Sequence, residues 1–282
     1  MRDLIAMWRN TRMIVLTAIC AAAYVAVLLP FKGFVLIPGL TEVRPGAALP
    51  VVLSFMFGPA AAWGAGFGNV IADAFGGMLG PGSIPGFLGN FFYGYVPYAL
   101  WRALMKNASP VRSGAKGWSV YGLILVINCM VIGSVIGWGV DLLGLAPFGA
   151  LGLIIAVNDL IASAAVSTAL LVLLYPRVSA WGLLYFQILD DSAEAFPTDA
   201  AQTPGAAPPV KTTTKDALRL IGAFVLVAGA IVAFFSGLFI SAEALDVGYG
   251  AAAFASKATG STAVAAGMAP GLLLILVGAI LL

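Results

Sequence analysis

The sequence contains no histidine, only two cysteines and few charged residues. The absence of histidine removes the commonest metal ligand and the commonest acid–base group. Cys20 and Cys129 each lie within a long apolar run, where a cysteine usually acts as a small buried hydrophobe. No P-loop, GxSxG or HExxH motif is present, so the chain has no recognisable means of hydrolysing ATP or of nucleophilic catalysis. We therefore predict a protein that is not an enzyme and that carries no metal or other cofactor.

Charged residues make up 9% of the 282 residues, whereas hydrophobic residues make up 61%. A soluble domain carries about 25% charged and about 45–50% apolar residues. So few charges cannot cover a water-facing surface, and lipid must cover much of this one. The composition predicts an all-α, polytopic protein of the cell inner membrane. No small-residue cleavage site follows the first apolar run, and further runs follow it, so we expect this run to be retained as a membrane helix.

Apolar segments separated by glycine, proline or charge predict eight helices. A full span needs about 20 mostly apolar residues; helix 2 is shorter, so helices 2 and 3 can instead form one re-entrant hairpin. Segment 177–189 is predicted to lie along the membrane interface, because Trp181 and Tyr185 have the spacing of neighbours on one helix face. The predicted helices cover residues 13–29, 46–57, 60–75, 87–105, 120–142, 148–174, 217–241 and 261–282.

A polar segment rich in alanine, proline and threonine divides the chain. It predicts a six-helix substrate-binding membrane unit over residues 1–190, a cytoplasmic linker over residues 191–216 and a two-helix appendage over residues 217–282. The role of the appendage stays open between docking a partner and a lineage-specific addition.

Basic residues divide unevenly between the two sides of the eight-helix map. Placing the N-terminus in the cytoplasm leaves three on the outer side, Lys32, Arg44 and Lys257. The other eleven fall inside, as expected from the positive-inside rule. These are Arg2, Arg9, Arg12, Arg102, Lys106, Arg112, Lys116, Arg177, Lys211, Lys215 and Arg219.

Polar side chains in this map gather toward the outer half of the membrane, and the inner half offers mainly Asn128. An ionisable residue within a span costs about 2.5–3.5 kcal/mol and usually marks function. The pattern predicts a pocket open to the outside, beside a glycine-rich loop at 76–86 that is either a lid or a plain connector. The candidate ligand-binding residues are Glu42, Arg44, Asn69, Asp73, Asn90, Trp138, Asp141, Asn158 and Asp159.

The structural alternatives for these residues stay open. Asp73 and Asp141 lie near helix ends and can be interfacial carboxylates that reach water, while Glu42 and Arg44 can be a solvated loop pair. If the pocket forms, it holds up to four carboxylates against one arginine. Opposite charges reinforce each other in a site of low dielectric constant, so we expect a cationic ligand such as an amine.

Small residues form a stripe along helix 1, where Ala18, Ala22 and Ala26 repeat every four residues. Such a stripe lets another helix approach closely. The approaching helix belongs either to this chain, which would make the stripe an internal packing feature, or to another protein.

Three segments together resemble a known family: residues 42–50 (EVRPGAALP), 57–61 (FGPAA) and 66–73 (GFGNVIAD). With the AxxxA spacing of helix 1, they resemble the substrate-binding S components of energy-coupling factor (ECF) transporters over about residues 10–190. The branch most similar is QueT, which is associated with queuosine precursors. Two features depart from it: Ala47 stands where the QueT motif carries a glutamate, and two helices are additional. The lack of histidine also departs from the nickel and cobalt branches.

The resemblance implies a function and partners. An S component binds a vitamin-like micronutrient from outside, associates with a membrane coupling protein and two cytoplasmic ATPases, and topples in the membrane to deliver its ligand. The family's helix 1 stripe contacts the coupling protein, which implies partner docking for Ala18, Ala22 and Ala26. Its ligand contacts come from the first loop and the outer helix ends, where the candidate residues lie.

Two other functions compete with this one. One is a solitary transporter or permease for a small cationic metabolite. Such a protein would transport without partners, and it would need helices beyond the substrate-binding unit, such as helices 7 and 8. An intramembrane enzyme or assembly protein would lose turnover when one carboxylate, such as Asp159, is changed, and would show no saturable ligand binding.

Overall fold

The computed structural model describes residues 2–31, 35–37, 41–42, 45–106, 108–189, 214–244 and 262–282. These residues are almost entirely helical, which confirms the predicted all-α polytopic architecture. Within the described residues, five segments have the length and apolar composition of membrane spans. They are Thr11–Phe31, Gly114–Leu142, Phe148–Leu189, Asp216–Ala242 and Thr262–Leu281.

Eleven helices follow one another along the described chain, with a short antiparallel hairpin of β1 (Val35–Ile37) and β2 (Thr41–Glu42) in the first loop. The helices are α1 (Arg2–Ala6), α2 (Thr11–Leu28), α3 (Ala48–Phe57), α4 (Pro59–Phe75), α5 (Ser83–Met105), α6 (Gly114–Leu142), α7 (Phe148–Ala162), α8 (Thr168–Ala180), α9 (Tyr185–Leu189), α10 (Thr214–Ala244) and α11 (Thr262–Leu281). A π-helical segment, Ser163–Ser167, joins α7 to α8. We call the end of the bundle where α2 stops and α5 starts the outer end, and the opposite end the inner end.

Helices α5 and α6 begin four or more residues earlier than the apolar pattern predicted. Helix α5 begins at Ser83 rather than near residue 87, because Pro85 falls in its first turn, where the missing N–H is tolerated. The predicted glycine-rich loop is therefore shorter. Helix α6 begins at Gly114 rather than near residue 120, and Lys116 in its first turn is exposed.

The prediction that Trp181 and Tyr185 lie on one helix face of segment 177–189 is wrong. Helix α8 runs on to Ala180 and ends at a turn in which Gly182 has a φ of 70°. Trp181 before this turn is 68% exposed, whereas Tyr185 after it is 8% exposed. The turn breaks the helical register, so the two rings do not share a face.

Helices α3 and α4 form a hairpin whose two free ends lie at the outer end. Gly58 has a φ of 48° and Pro59 takes the first position of α4, so the helix cannot continue across this pair. Ten residues make α3 about 15 Å long, half of a hydrocarbon core of about 30 Å. Gly46 contacts Leu28 at the outer end of α2, and Gly58 lies against the ring of Tyr185.

Helices α2, α4, α5 and α6 lie side by side in this order, because glycines let their backbones approach closely. A Cβ at Gly64 of α4 would lie 2.5 Å from the Cβ of Cys20 on α2. A Cβ at Gly89 of α5 would lie 2.3 Å from Ile136 on α6. Helix α7 then packs on α6, and α3 packs against α4, α5 and α8.

We expect Gly94→Ala to separate α4 from α5. The new Cβ would lie 2.7 Å from the carbonyl oxygen of Ala61 and 2.9 Å from the Cα of Ala62, and neither backbone atom can yield without moving α4. Overpacking of this kind costs about 1–3 kcal/mol, measurable as a lower free energy of unfolding in mixed detergent micelles. Gly122→Ala on α6 is the matched control, because nothing lies within 4 Å of its Cβ, and it should be neutral or stabilising by up to about 1 kcal/mol. Equal losses for the two variants would contradict this packing.

Helices α10 and α11 form a second hairpin, which packs on α5, α6 and α7. The two helices meet at glycines: a Cβ at Gly271 of α11 would lie 2.3 Å from the backbone nitrogen of Ala233 on α10. Tyr95 donates a hydrogen bond of 2.7 Å to the carbonyl oxygen of Ala279 near the inner end. The predicted linker lies almost wholly outside the described residues.

Candidate functional site

The first outer cluster joins the end of α4 to the start of α5. Asn69 Nδ2 donates to Asp73 Oδ2 at 3.2 Å, and Ser83 Oγ donates to the same oxygen at 2.9 Å. Asn69 lies one turn before Asp73, so both side chains point to one face of α4. Asp73 is half-buried and Asn69 is buried. Two donors therefore hold the carboxylate of Asp73 against α5.

A second pair lies beside this cluster and joins α2 to α5. Tyr24 Oη donates to Asn90 Oδ1 at 2.7 Å, and Asn90 Nδ2 donates to the carbonyl oxygen of Gly86 at 2.8 Å. Both side chains are fully buried. A Cβ at Gly86 would lie 2.8 Å from Asn69 Nδ2, so the glycine lets the amide of Asn69 approach α5. The structure thus brings Asn69, Asp73 and Asn90 together.

Asp159 lies deeper in the bundle and is only 1% exposed. Tyr93 Oη contacts the backbone carbonyl oxygen of Asp159 at 3.4 Å. Tyr93 follows Asn90 by one turn of α5, so this helix connects Asp159 to the outer cluster. Asn158 is half-buried, since adjacent helix positions point about 100° apart.

Asp141 and Trp138 make structural contacts at the end of α6. The backbone N–H of Phe148 donates to Asp141 Oδ2 at 2.7 Å, so this carboxylate caps the start of α7. Asp141 is buried and is therefore not an interfacial carboxylate in water. Trp138 Nε1 donates to the carbonyl oxygen of Ala265 at 3.2 Å, which ties α6 to α11. These two hydrogen bonds join the end of α6 to α7 and to α11.

Two candidate residues fall in the first loop. The backbone of Glu42 pairs with Val35 in the β-hairpin, but its side chain lies outside the described part of the structure. Arg44 lies outside the described residues altogether.

Sequence reasoning missed three hydroxyl side chains of this region: Tyr24, Ser83 and Tyr93. A buried tyrosine usually finds a hydrogen-bond partner for its hydroxyl. That rule, applied to tyrosines within apolar runs, could have singled out Tyr24 and Tyr93. Ser83 had no such signal, because it was assigned to a loop.

The interior is more polar toward the inner end than the sequence indicated. We use the name inner seam for Tyr93, Tyr121, Asn128, Ser163 and Ser167. All five are buried. The expectation that Asn128 would be the main polar group there was wrong, because the tyrosines and serines lie in otherwise apolar runs.

The alanine stripe of α2 faces away from the bundle. Ala18, Ala22 and Ala26 are all exposed, whereas Cys20 and Tyr24 on the opposite face are buried. The stripe is therefore not an internal packing surface of the described chain.

The described residues contain no group of three histidine, cysteine, aspartate or glutamate side chains that could hold a metal ion. The candidate site is instead built from carboxylates, amides and hydroxyls. Such groups can bind a small polar molecule by hydrogen bonds, and the carboxylates favour one with positive charge.

Comparison with curated proteins and with solved structures finds no match. The model of one protein family does match, over residues 14–176, under the description "QueT transporter". The match covers more than half of the chain, from α2 into α8, and it includes the resembling segments at 42–50, 57–61 and 66–73. It does not reach α10 or α11. With its membrane-spanning helices, the chain is a multi-pass membrane protein that belongs to the QueT transporter family.

Proposed function

We propose that this protein is the substrate-binding S component of an ECF-type importer. It would bind a vitamin-like micronutrient from outside and deliver it inward with a membrane coupling protein and two cytoplasmic ATPases. The observation that carries the proposal is the buried carboxylate of Asp159 below a polar cluster, within a chain of a transporter family. A transporter family implies a small-molecule substrate.

The ligand we propose is a cation, with a queuosine precursor that carries a primary amine as the first candidate. Asp73 and Asp159 supply negative charge, and Asn69 and Asn90 supply amide groups for hydrogen bonds. Glu42, Arg44 and Asn158 remain candidates for further contacts. Ala47 stands where the QueT motif has a glutamate, so recognition of the ligand's charge would fall to the other carboxylates, with Asp73 and Asp159 first among them.

The coupling protein would dock on the alanine stripe of α2. Ala18, Ala22 and Ala26 are exposed, and their small side chains leave the helix backbone accessible to a second helix. The α10–α11 hairpin packs on α5, α6 and α7, whereas α2 packs on α3 and α4. The additional helices therefore leave the stripe uncovered.

We propose an inner-membrane location with the N-terminus in the cytoplasm. The division of basic residues supports this orientation. The contacts within the structure are compatible with it, because Asp3 of α1 pairs with Arg102 near the inner end of α5. Lys106 and Asp216 lie 3.9 Å apart at the same end.

The proposal predicts saturable binding by the purified chain in lipid nanodiscs. Two radiolabelled queuosine precursors form a matched pair, one with a primary amine and one in which a neutral nitrile replaces it. The amine should bind at least about tenfold more tightly, because one charge-assisted hydrogen bond contributes about 1.5–3 kcal/mol. Native mass spectrometry of gently purified protein should also retain the coupling protein and ATPases. Binding of neither precursor would reject a queuosine precursor as the ligand.

A solitary transporter is the second candidate, and the firmly packed α10–α11 hairpin favours it. A chain that works alone would need helices beyond the substrate-binding unit. Uptake by proteoliposomes that contain only this chain would establish this function, whereas uptake that requires added coupling partners would exclude it.

A further inference from the structure

Tyr24 connects helix α2 to both helices of the outer cluster. Its ring lies against α4, where a Cβ at Gly68 would be 3.0 Å from Tyr24 Cδ1. Its hydroxyl donates a hydrogen bond of 2.7 Å to Asn90 Oδ1 on α5. Gly68 immediately precedes Asn69, so both contacts of Tyr24 fall at or beside candidate ligand residues. A movement of α5 relative to α4 would therefore displace this side chain.

Asn90 has hydrogen-bonding capacity left for a ligand. A side-chain amide offers two N–H donors and two acceptor lone pairs. Tyr24 Oη takes one lone pair, and the carbonyl oxygen of Gly86 takes one N–H. Because both ends of the amide are held, Asn90 cannot turn toward a ligand without breaking its bond to Tyr24. A ligand that uses the remaining donor and acceptor would instead fix the amide, and Tyr24 with it.

The alanine stripe lies on the opposite face of the same helix. Tyr24 stands between Ala22 and Ala26 in sequence, and two residues correspond to about 200° of helix rotation. Ala22 and Ala26 are exposed, whereas Tyr24 is buried. A helix behaves as a rigid element over this length, so a displacement of Tyr24 also moves the stripe.

Close packing of α2 on α4 allows such a displacement to be passed on. A Cβ at Gly64 would lie 2.5 Å from the Cβ of Cys20. Tightly packed interfaces change between discrete arrangements rather than deform continuously. A buried apolar cluster joins the two helices around the tyrosine ring and consists of Tyr24, Leu28, Ala65 and Ala72. The position of α2 on α4 therefore depends on the contacts that Tyr24 makes.

We propose that Tyr24 is a positioning residue through which ligand occupancy controls the docking of the coupling protein on α2. The proposal rests on the proposed function, which supplies both binding partners. A coupling helix on the stripe would not contact a ligand held by Asn90, because the stripe and Tyr24 lie on opposite faces of α2. Communication between the two sites therefore passes through α2. Such a link lets the coupling protein distinguish a loaded component from an empty one before the component reorients.

The link should be positive. A ligand that fixes Asn90 also fixes Tyr24 and α2 in one arrangement. An ordered stripe binds a coupling helix more tightly, because less conformational freedom is lost on docking. By linkage, the docked coupling protein raises the affinity for the ligand by the same factor.

The first test measures the Kd of the coupling protein for the purified chain in nanodiscs, with and without a saturating concentration of the amine-bearing precursor. The precursor should lower this Kd at least about fivefold, the lower end of the coupling typical between two sites. In Tyr24→Phe, which keeps the ring and its packing, the two Kd values should differ by less than about twofold, because the coupling is lost. A parent in which the precursor does not change the Kd, or a variant with the same ratio as the parent, would overturn the proposal.

Tyr95→Phe is the matched control, because Tyr95 is also buried and donates a hydrogen bond of 2.7 Å, but to α11. Its ratio of Kd values should equal that of the parent. If Tyr24 only stabilised the fold, its substitution would change both Kd values by one common factor and leave their ratio intact. Failure of the precursor to bind the parent would count against the proposed function, and the second test would then decide the role of Tyr24.

The second test needs neither ligand nor partner. Spin labels are attached through Ala22→Cys on α2 and Leu88→Cys on α5, both exposed positions, in a chain with Cys20→Ala and Cys129→Ala. The distance between the labels should be distributed more broadly after Tyr24→Phe than in the parent or the control variant, because losing one hydrogen bond changes the populations of alternative arrangements by about two- to tenfold. An unchanged distribution would show that this bond does not set the position of α2 and would overturn the proposal.

Discussion

Asp159→Asn is expected to weaken binding of an amine-bearing ligand by about a hundredfold or more. The carboxylate of Asp159 is 1% exposed, so water cannot replace it as the partner of a bound cation. Removing one member of a buried ion pair costs about 3–5 kcal/mol, because the other charge is left uncompensated. Each 1.4 kcal/mol is a factor of ten in affinity. The change from oxygen to an amide nitrogen preserves the size of the side chain, so the packing around α7 should survive.

Equilibrium binding of the amine and nitrile precursors to the variant measures this effect. The amine should no longer bind more tightly than the nitrile, while the affinity for the nitrile should change by less than about threefold. Asp141→Asn is the matched control, since Asp141 is an equally buried carboxylate and the structure shows it capping the start of α7. If the double variant Asp73→Asn, Asp159→Asn still bound the amine with the affinity of the parent, the hypothesis of a cationic ligand would be wrong.

Ala22→Trp is expected to abolish coupled uptake while leaving ligand binding intact. Ala22 lies at the centre of the exposed stripe, and a coupling helix that packs on the stripe depends on small side chains for close approach. An indole ring would hold the two backbones apart. Because the side chain points away from the bundle, the substitution should not disturb the contacts of α2 with α4.

Pull-down of the coupling protein and radiolabelled uptake measure the loss of docking. Both should fall more than about tenfold, consistent with an overpacking cost of about 1–3 kcal/mol at the interface. Ala228→Trp is the matched control, because Ala228 is an exposed alanine on α10, at the other side of the bundle. Equal co-purification of partners with both variants would place the coupling interface elsewhere.

Much of the architecture could be predicted because the membrane imposes it. Spans must be long, apolar and helical, since lipid offers no partner for backbone N–H and C=O groups. The breaks at Gly58-Pro59 and Gly76 followed from residues that stop helices. The starts of α5 and α6 were missed, because Pro85 and Lys116 stopped the apolar pattern without stopping the helix.

The candidate site could be predicted only in part. Asn69, Asp73 and Asn90 were placed together by their positions near the outer helix ends, and the structure does bring them together. Trp138 and Asp141 looked equivalent to them in sequence, yet their hydrogen-bond partners, Ala265 and Phe148, make them structural anchors. The rotation of a helix about its axis decides which group a buried polar side chain faces. Residue spacing alone does not specify this rotation.

Hydropathy and short local motifs were enough to predict that this chain crosses the membrane several times and resembles the QueT transporters, because neither signal depends on tertiary contacts. Three features are visible only in the folded chain: the alanine stripe faces outward, the additional helices pack as a hairpin on α5, α6 and α7, and buried hydroxyls line the bundle below Asp159. These features depend on how each helix is turned about its axis. That rotation is set by glycines such as Gly64 and Gly94, which let particular faces approach closely, and by buried hydrogen bonds between residues more than 60 positions apart.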